Sequence, residues 1–193
     1  MAFLKLVLAF APWLAFLFIA HDSLFRLKVG LVVALVLSVV MGVAHLHRGI
    51  VLWVGLAFFT FATIAVIGFE NAWTMHYMGV LASGALAAGT WLTVAMGKPF
   101  TLDYAREHTP EALWSSPAFI RSNYLLTCVW GAVFTVNAGL AWCKAERPFM
   151  SPEAFEIVTY TLMVAAAVFT TWYPARLRRL RDAAEAPGAG TAG

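Results

Sequence analysis

The sequence is poor in charged residues. Asp, Glu, Lys and Arg make up 12% of its 193 residues, against about 25% in a typical soluble domain. Hydrophobic residues reach 62%, and a soluble fold of this length, which buries only about 70% of the surface of its unfolded chain, lacks the interior to hold them. We therefore expect lipid to be the solvent for most of the chain, and we exclude a soluble enzyme, a nucleic-acid-binding domain and a secreted disulfide-rich module.

Cysteine is equally scarce. The chain has two cysteines, Cys128 and Cys143, and both fall in one apolar segment. On a continuous helix their Cα atoms would be about 22 Å apart, far beyond the reach of a disulfide. Two cysteines at this spacing do not resemble a metal site either, so we expect them to be packing residues.

Ionisable side chains are missing from the middle of the long apolar segments, and Lys144 and Glu156 fall near segment ends. A proton-coupled pump or an ion transporter needs such a group in mid-membrane, so its absence counts against these classes. The sequence also has no nucleophile motif and no phosphate-binding loop. These absences favour a protein that is not an enzyme and that holds no metal or other cofactor.

The five histidines leave haem binding open as an alternative. His21 could face His76 near one membrane surface, and His45 could face His108 near the other, although none lies deep inside an apolar segment. A polar stretch later in the chain contains further titratable residues, for which we favour a solvated loop over a metal or acid/base site: Asp103, Glu107, His108 and Glu111.

Six apolar segments approach the length of about 20 residues that a helix needs to cross the hydrocarbon core. Backbone polar groups must be satisfied internally in lipid, so each segment is predicted to be a helix, and the chain an all-α polytopic bundle. The predicted spans are Phe3–Ala20, Val29–Ala44, Ile50–Phe69, Tyr77–Met96, Tyr124–Trp142 and Phe155–Tyr173.

The distribution of basic residues predicts the orientation of this bundle. With six spans both termini lie on one side, and that side carries nine of the thirteen Lys and Arg residues, against four on the other. Because cytoplasmic loops are rich in Lys and Arg, both termini are expected in the cytoplasm. The predicted location is the inner (cytoplasmic) membrane of a bacterium.

We divide the chain into a bundle at 1–175, including a cytoplasmic loop at 97–123, and a basic, then disordered, cytoplasmic tail at 176–193. Within the loop, Leu102–His108 is predicted to form a short helix that Thr101 caps, with Leu102 and Tyr104 toward the membrane. The tail begins with a run of arginines predicted to contact anionic lipid head groups: Arg176, Arg178, Arg179 and Arg181.

Uncharged polar and small residues inside the spans suggest helix packing or a substrate pathway. Gly84 and Ala88 form a small-xxx-small pair that allows another helix to approach closely. Asn137 is the costliest polar residue to place in lipid, because its amide has both donors and acceptors. The candidate packing or pathway residues are Gly84, Ala88, Thr90, Thr93, Thr127 and Asn137.

Three motifs resemble the intracellular septation protein A family of bacterial inner-membrane proteins, or a related multi-pass family with the same layout. They are Leu8-Ala9-Phe10-Ala11-Pro12, the small-residue helix from Gly84 to Lys98-Pro99 with Trp91, and Trp130 followed by Gly139-Leu140-Ala141. The likeness covers about residues 4–173. It implies a protein that supports cell-envelope integrity or division through partners, and none of the motifs is catalytic.

Two hypotheses about function follow. The first is a non-enzymatic inner-membrane protein that supports the cell envelope through contacts with membrane lipid, with membrane-protein partners or with further copies of itself, and not with nucleic acid. In this hypothesis loop 97–123 and the arginine run are the exposed contact surfaces. The second hypothesis is a small transporter or permease for an uncharged or lipidic substrate, with haem-dependent redox chemistry as the weaker alternative.

Overall fold

The computed structural model describes residues 10–20, 23–44, 49–107 and 109–185, and regular structure in these ranges is helical throughout. A π-helical turn, Ile64–Gly68, continues α3, and a 3₁₀ turn, Glu111–Leu113, precedes α7. The α-helices of these ranges are α1 (Ala11–Ile19), α2 (Leu24–Val43), α3 (Ile50–Thr63), α4 (Ala72–His76), α5 (Met78–Ala95), α6 (Thr101–Arg106), α7 (Pro117–Glu146) and α8 (Pro152–Glu185).

Five helices of the described ranges are long and apolar enough to cross a membrane, and they confirm a helical membrane protein. Each corresponds to one of the predicted spans after the first: Leu24–Val43, Ile50–Gly68, Met78–Ala95, Pro117–Glu146 and Pro152–Leu180. The first predicted span lies partly outside the described residues, and its described part is the nine-residue helix α1. The count of six and the orientation therefore stay predictions.

The bundle is built mainly from helices that follow one another along the chain. The most extensive packing joins α5 to α7, and α1 packs on α2, α2 on α3, α3 on α5, and α7 on α8. Gly89 of α5 lies against Val54 of α3, and Gly131 of α7 lies against the indole ring of Trp91 of α5. Since glycine has no side chain, these two positions let the helix backbones come close together.

Helix α1 belongs to the interior of the bundle. Phe10, Trp13 and Phe16 are buried, and the ring of Trp13 stacks on Phe58 of α3 with 5.2 Å between centroids. Phe10 stacks on Trp130 of α7 at 5.8 Å. The N-terminal segment thus joins an aromatic core that α3 and α7 complete.

Ion pairs mark one end of the bundle, which we call the ion-pair end. Here Lys28 Nζ lies 2.8 Å from Glu70 Oε1, and Lys144 Nζ lies 3.0 Å from Glu156 Oε1. Helices α2, α5 and α8 begin at this end, and α3 and α7 finish at it. The opposite end, which we call the loop end, carries residues 97–116.

The first half of the predicted loop is part of the core, which corrects the expectation of an exposed segment. Pro99 and Phe100 are fully buried, and Leu102 and Tyr104 are buried within the bundle instead of facing the membrane. Burial also raises the pKa of the Tyr104 phenol well above its ordinary value. Exposed surface is found further on, over Pro110–Leu113.

Thr101 is not the helix cap that the sequence predicts. Helix α6 begins at Thr101 itself, after Phe100, and no side chain caps it. The Thr101 hydroxyl lies 2.9 Å from both the Asn123 carbonyl oxygen and Thr127 Oγ1 of α7. The hydroxyl is buried, so it bonds to the neighbouring helix instead of to the first turn of its own helix.

The arginine run is a continuation of α8 and not a separate tail. The helix passes through Pro174 and ends at Glu185. Arg176, Arg178 and Arg179 are exposed on it, and the Arg176 guanidinium lies over the Trp172 ring at 5.3 Å from the centroid. Arg181 lies in the same helix. In the second part of the predicted tail, residues 183–185 end the helix and 186–193 lie outside the described residues.

Candidate functional site: a cavity at the ion-pair end

A large cavity lies among the helices in the half of the bundle nearer the ion-pair end. Its volume is about 870 Å³, and it is partly open as far as the described residues enclose it. Helices α1 and α2 form one wall and α8 the other, while α5 and α7 form the back. Helix α8 packs along α7 and forms no packing of similar extent with α1 or α2. Among the described residues, the helices around the cavity are therefore least tightly packed between α8 and the α1–α2 pair.

Aromatic side chains close the cavity toward the middle of the bundle. Phe10, Trp130 and Phe134 line this floor and pack on one another, with Phe10 and Phe134 centroids 6.2 Å apart and Trp130 and Phe134 centroids 5.4 Å apart. Most of the remaining lining is aliphatic, from residues such as Leu27 and Met163. The interior is thus an apolar surface that water hydrates poorly.

Asn137 is a buried polar residue on this mainly apolar wall. Its residue is 3% exposed, it lines the cavity, and its Oδ1 atom has no hydrogen-bond partner. Trp13 also lines the cavity and has an unpaired Nε1 atom. That indole nitrogen, however, lies 3.2 Å from the place a Cβ on Gly55 would take, at the contact between α1 and α3. Asn137 thus lines the cavity as a residue, while its unpaired Oδ1 atom is itself enclosed by protein.

Charged groups stand at the mouth. The paired side chains of Lys144 and Glu156 line the cavity and are about 40% exposed. Thr159 and Tyr160, one turn of α8 further in, also line it. Along α7, Asn137 lies two turns deeper than Lys144, which is about 10 Å at 1.5 Å per residue. The cavity thus changes from charged at its mouth to apolar at its floor.

A second contact holds the helices together beside the mouth. The Tyr77 hydroxyl donates a hydrogen bond to Glu146 Oε1, at the end of α7, and His76 Nε2 lies 3.7 Å from the same oxygen. The hydrogen bond to Glu146 raises the pKa of the Tyr77 phenol, because a phenolate would lie beside a carboxylate. This contact joins the start of α5 to the end of α7 next to the cavity.

The predicted threonines lie elsewhere. Thr90, Thr93 and Thr127 are buried near the loop end and do not line the cavity. Thr93 Oγ1 donates to the Thr90 carbonyl at 2.7 Å and accepts from the Phe100 amide at 3.3 Å, while Thr127 Oγ1 bonds to Thr101. The hydroxyls of Thr93 and Thr127 secure the loop residues to the bundle, and of the four polar candidates Asn137 alone lines the cavity.

The small-residue pair is also placed differently from the prediction. No atom lies within 4 Å of a Cβ built on Gly84, and Ala88 is exposed, so this pair packs on no helix of the described chain. Close packing on α5 occurs instead at Gly79 and Gly89, where a Cβ would come 3.3 Å from Ala141 Cβ and 2.6 Å from Val54 Cγ2.

Within the described ranges, no arrangement of side chains supports haem or metal binding. His76 is the one histidine within these ranges, so both predicted haem pairs include residues outside them. No group of three or more His, Cys, Asp or Glu residues that could hold a metal ion occurs among the described residues. Cys128 and Cys143 lie on α7 and are unpaired.

Sequence reasoning missed the ion pair at the mouth, although the sequence contains a signal for it. Lys144 ends one apolar segment and Glu156 begins the next. A short connection between antiparallel helices brings such ends together, and two opposite charges there form a pair.

No family model matches the chain, and neither does any curated protein or solved structure.

Proposed function

We propose that the chain is a non-enzymatic multi-pass membrane protein that binds an amphipathic, lipid-like molecule in the cavity at the ion-pair end. The observation that carries this proposal is the cavity itself, about 870 Å³ with apolar walls and the Lys144–Glu156 pair at its mouth. Small-molecule sites commonly measure about 300–1,000 Å³ and have mainly apolar linings with a few polar groups.

The lining decides the class of ligand. Water gains little in a chamber lined by Phe, Leu and Met side chains, and apolar cavities bind apolar molecules readily. A charged pair at the mouth favours a molecule whose polar end remains there. An amphipath satisfies both conditions, with its chain on the aromatic floor and its head group beside Lys144 and Glu156.

The open side supports entry from the bilayer. Since α8 is held mainly by α7, the gap between α8 and the α1–α2 pair faces the region that lipid occupies around a membrane bundle. A lipid chain can enter through this gap without crossing water. The surrounding membrane is then the source of the ligand.

We propose the bacterial inner membrane as the setting, with both termini in the cytoplasm and a role in cell-envelope integrity or division through lipid, partner proteins or self-association. The uneven distribution of Lys and Arg and the resemblance to the septation family support this part of the proposal. The exposed arginines of α8 would contact anionic head groups on the cytoplasmic side, with about 1 kcal/mol gained per basic residue near the surface.

Cavity-filling variants test the proposal. We expect purified wild-type protein to retain a lipid-like molecule in native mass spectrometry, and Ala82→Phe to lose it, because Ala82 lines the cavity. Ala88→Phe makes the same change at an exposed position of the same helix and should retain the ligand. Ala167→Phe, with Ala165→Phe as its exposed control, repeats the test on α8. Equal retention by the filled and control variants would show that the cavity is not the binding site.

Transport is the second candidate, and one observation favours it. The cavity has its charged residues Lys144 and Glu156 at the ion-pair end and is closed at mid-bundle by Phe10, Trp130 and Phe134, an arrangement that favours a carrier with access from one side. If the protein is a carrier, proteoliposomes should move a fluorescent lipid between leaflets faster than liposomes containing Ala82→Phe. Equal rates would show that the protein does not transport the lipid, and binding would remain as its proposed activity.

A further inference from the structure

Apart from the cavity, we infer that the outer face of α8 carries a binding site for the phosphate of an anionic phospholipid. Arg176 and Arg179 donate hydrogen bonds to the phosphate oxygens, and Trp172 is a positioning residue that holds Arg176. This site rests on the part of the proposed function that brings the arginines of α8 to lipid head groups, and it does not depend on the cavity. It assigns that contact to two of the arginines and to one chemical group.

The arginines lie one membrane thickness away from the ion-pair end. Glu156 and Arg176 are twenty residues apart on the continuous helix α8, which is about 30 Å along its axis at 1.5 Å per residue. All residues between them are uncharged. Because the hydrocarbon core of a bilayer is also about 30 Å thick, Arg176 reaches the level of the phosphates at one membrane surface when Glu156 lies at the other.

The helix turns two of its arginines away from the bundle. Thr170, which accepts a hydrogen bond from Trp130 of α7 at 2.9 Å, marks the side of α8 that packs on α7. At 3.6 residues per turn, Arg179 lies about 180° around the helix from Thr170, and Arg176 lies about 120° from it. Arg178 lies about 80° from Thr170, on the side nearer α7. Since α8 is the least buried of the five spanning helices, the face with Arg176 and Arg179 meets lipid.

This face has a groove with a prearranged arginine. The groove has a volume of about 310 Å³ and is lined by Trp172, Ala175, Arg176, Arg179 and Leu180, so its described lining has two positive charges and no carboxylate. The Arg176 guanidinium lies over the Trp172 ring at 5.3 Å from its centroid. The cation–π attraction between them restricts the Arg176 side chain before a ligand arrives, and less conformational entropy is then lost on binding.

A phosphodiester is the group that fits these residues. A guanidinium presents its N–H donors in a planar fork that matches two phosphate oxygens, and such charge-assisted hydrogen bonds are about twice as strong as neutral ones. The acyl chains of the lipid lie along Trp172 and along Val168, which is 59% exposed one turn deeper on the same face. A head group with a quaternary ammonium would place a third positive charge beside the arginines, so the site favours lipids whose net charge is negative.

Two phospholipids with the same acyl chains test the assignment. They are dioleoyl phosphatidylglycerol, whose phosphate gives it a net negative charge, and dioleoyl phosphatidylcholine, whose choline group neutralises the same phosphate. Native mass spectrometry of the full chain in detergent measures the dissociation constant of each lipid. We expect wild-type protein to bind phosphatidylglycerol roughly fivefold more tightly. Excess inorganic phosphate should not displace it, because free phosphate lacks the chains that Trp172 and Val168 contact.

Matched variants separate a site from a general attraction to positive charge. Arg176→Gln and Arg179→Gln should each weaken phosphatidylglycerol binding roughly tenfold, as expected for the loss of charge-assisted hydrogen bonds. Arg178→Gln makes the same change in net charge on the side nearer α7 and should weaken binding by about threefold at most. Arg176→Lys keeps the charge and loses the fork, so it should still bind more weakly than wild-type protein.

The positioning role of Trp172 has its own test. Trp172→Leu should weaken the binding of phosphatidylglycerol to wild-type protein and should have no further effect in the Arg176→Gln variant, because Trp172 acts through that arginine. Trp172→Phe keeps an aromatic ring beside the guanidinium and should restore most of the affinity. An equal loss from Trp172→Leu in both backgrounds would overturn the positioning role.

Other results would overturn the site itself. Equal affinity for the two lipids removes the preference for net negative charge, and equal losses in Arg176→Gln and Arg178→Gln show a diffuse attraction in place of a site. Displacement of the lipid by inorganic phosphate shows an anion site without lipid specificity. The preference for phosphatidylglycerol should persist in Ala82→Phe, which fills the cavity, and its loss there would place the lipid in the cavity. Retention of the cavity ligand by Ala82→Phe contradicts the function proposed for the cavity and leaves this site in place.

Discussion

Gly89 is the position where helices α3 and α5 come closest, and replacing it with alanine is a sharp test of the packing. A Cβ built on Gly89 lies 2.6 Å from Val54 Cγ2 and 3.5 Å from the Cβ and Cγ1 atoms of the same valine. A carbon–carbon contact is optimal at about 3.5–4.0 Å. Valine has one strongly preferred rotamer in a helix, so Val54 cannot move its methyl group away without strain.

Two opposing terms set the size of the effect. Alanine is more favourable than glycine in a helix interior by about 0.5–1 kcal/mol, while overpacking costs about 1–3 kcal/mol. We expect Gly89→Ala to lower the free energy of unfolding by about 1–2 kcal/mol. Gly84→Ala is the matched control on the same helix, because nothing lies within 4 Å of its Cβ. That substitution should be neutral or should raise stability by up to about 1 kcal/mol.

Reversible unfolding in mixed detergent–SDS micelles, followed by tryptophan fluorescence, measures these differences. Val54→Ala removes the methyl groups that clash. Gly89→Ala should therefore lower the free energy of unfolding in the Val54→Ala variant by at most half as much as it does in wild-type protein. The packing described for α3 and α5 is refuted if Gly89→Ala is as stable as Gly84→Ala. It is also refuted if Gly89→Ala costs the same free energy of unfolding in the Val54→Ala variant as in wild-type protein.

Three further predictions concern other contacts. Gly131→Ala should displace the Trp91 ring, which lies 2.9 Å from the new Cβ, and break the 3.0 Å hydrogen bond from Trp91 Nε1 to Thr135. The tryptophan emission should then shift in Gly131→Ala and not in Gly139→Ala, because nothing lies within 4 Å of a Cβ on Gly139. Thr101→Val should lower the free energy of unfolding by about 1–2 kcal/mol, because the Asn123 carbonyl and the Thr127 hydroxyl lose their shared partner, and Thr101→Ser should restore most of it. The hydrogen bond and the charge of Lys28 lower the pKa of Glu70 below its ordinary value, so this pair stabilises the fold above the pKa of Glu70 in the unfolded chain and loses that effect as pH falls through the lowered pKa. Thermal unfolding in acid should therefore depend less on pH in Lys28→Met, and identical pH profiles for the two proteins would contradict the role of the pair.

The spanning helices could be predicted from the sequence because lipid imposes a simple requirement. Every backbone polar group in the hydrocarbon core needs an internal partner, so a long apolar segment without charge, such as 29–44 or 50–69, has one available conformation. For residues 97–104, by contrast, hydropathy does not predict whether the side chains are buried or exposed. Phe100 and Tyr104 are buried where α6 packs on α7 and the Phe100 ring packs against Phe10, and no local pattern of the polar loop contains that information.

The packing glycines show the same limit on a smaller scale. The spacing of Gly84 and Ala88 predicts close approach of another helix at this pair, but spacing cannot say which face of α5 meets another helix. The structure uses Gly89 and Gly79, which lie on different turns. The cost of placing an amide in lipid identifies Asn137 from the sequence, and the structure places this residue on the cavity wall. The cavity itself is a space between five helices of the bundle, so no single segment could reveal it.

Helix α8 gives the cavity a mechanical connection to the far membrane surface. It is 34 residues long, or about 51 Å at 1.5 Å per residue, and the same rod forms one wall of the cavity and presents Arg176, Arg178 and Arg179 at its other end. A tilt of α8 that widens the wall near Glu156 must swing those arginines through an arc relative to the head groups. Pro174 lies between the cavity wall and the arginines and has no amide hydrogen to donate to the preceding turn, so the helix has one backbone hydrogen bond fewer at that point.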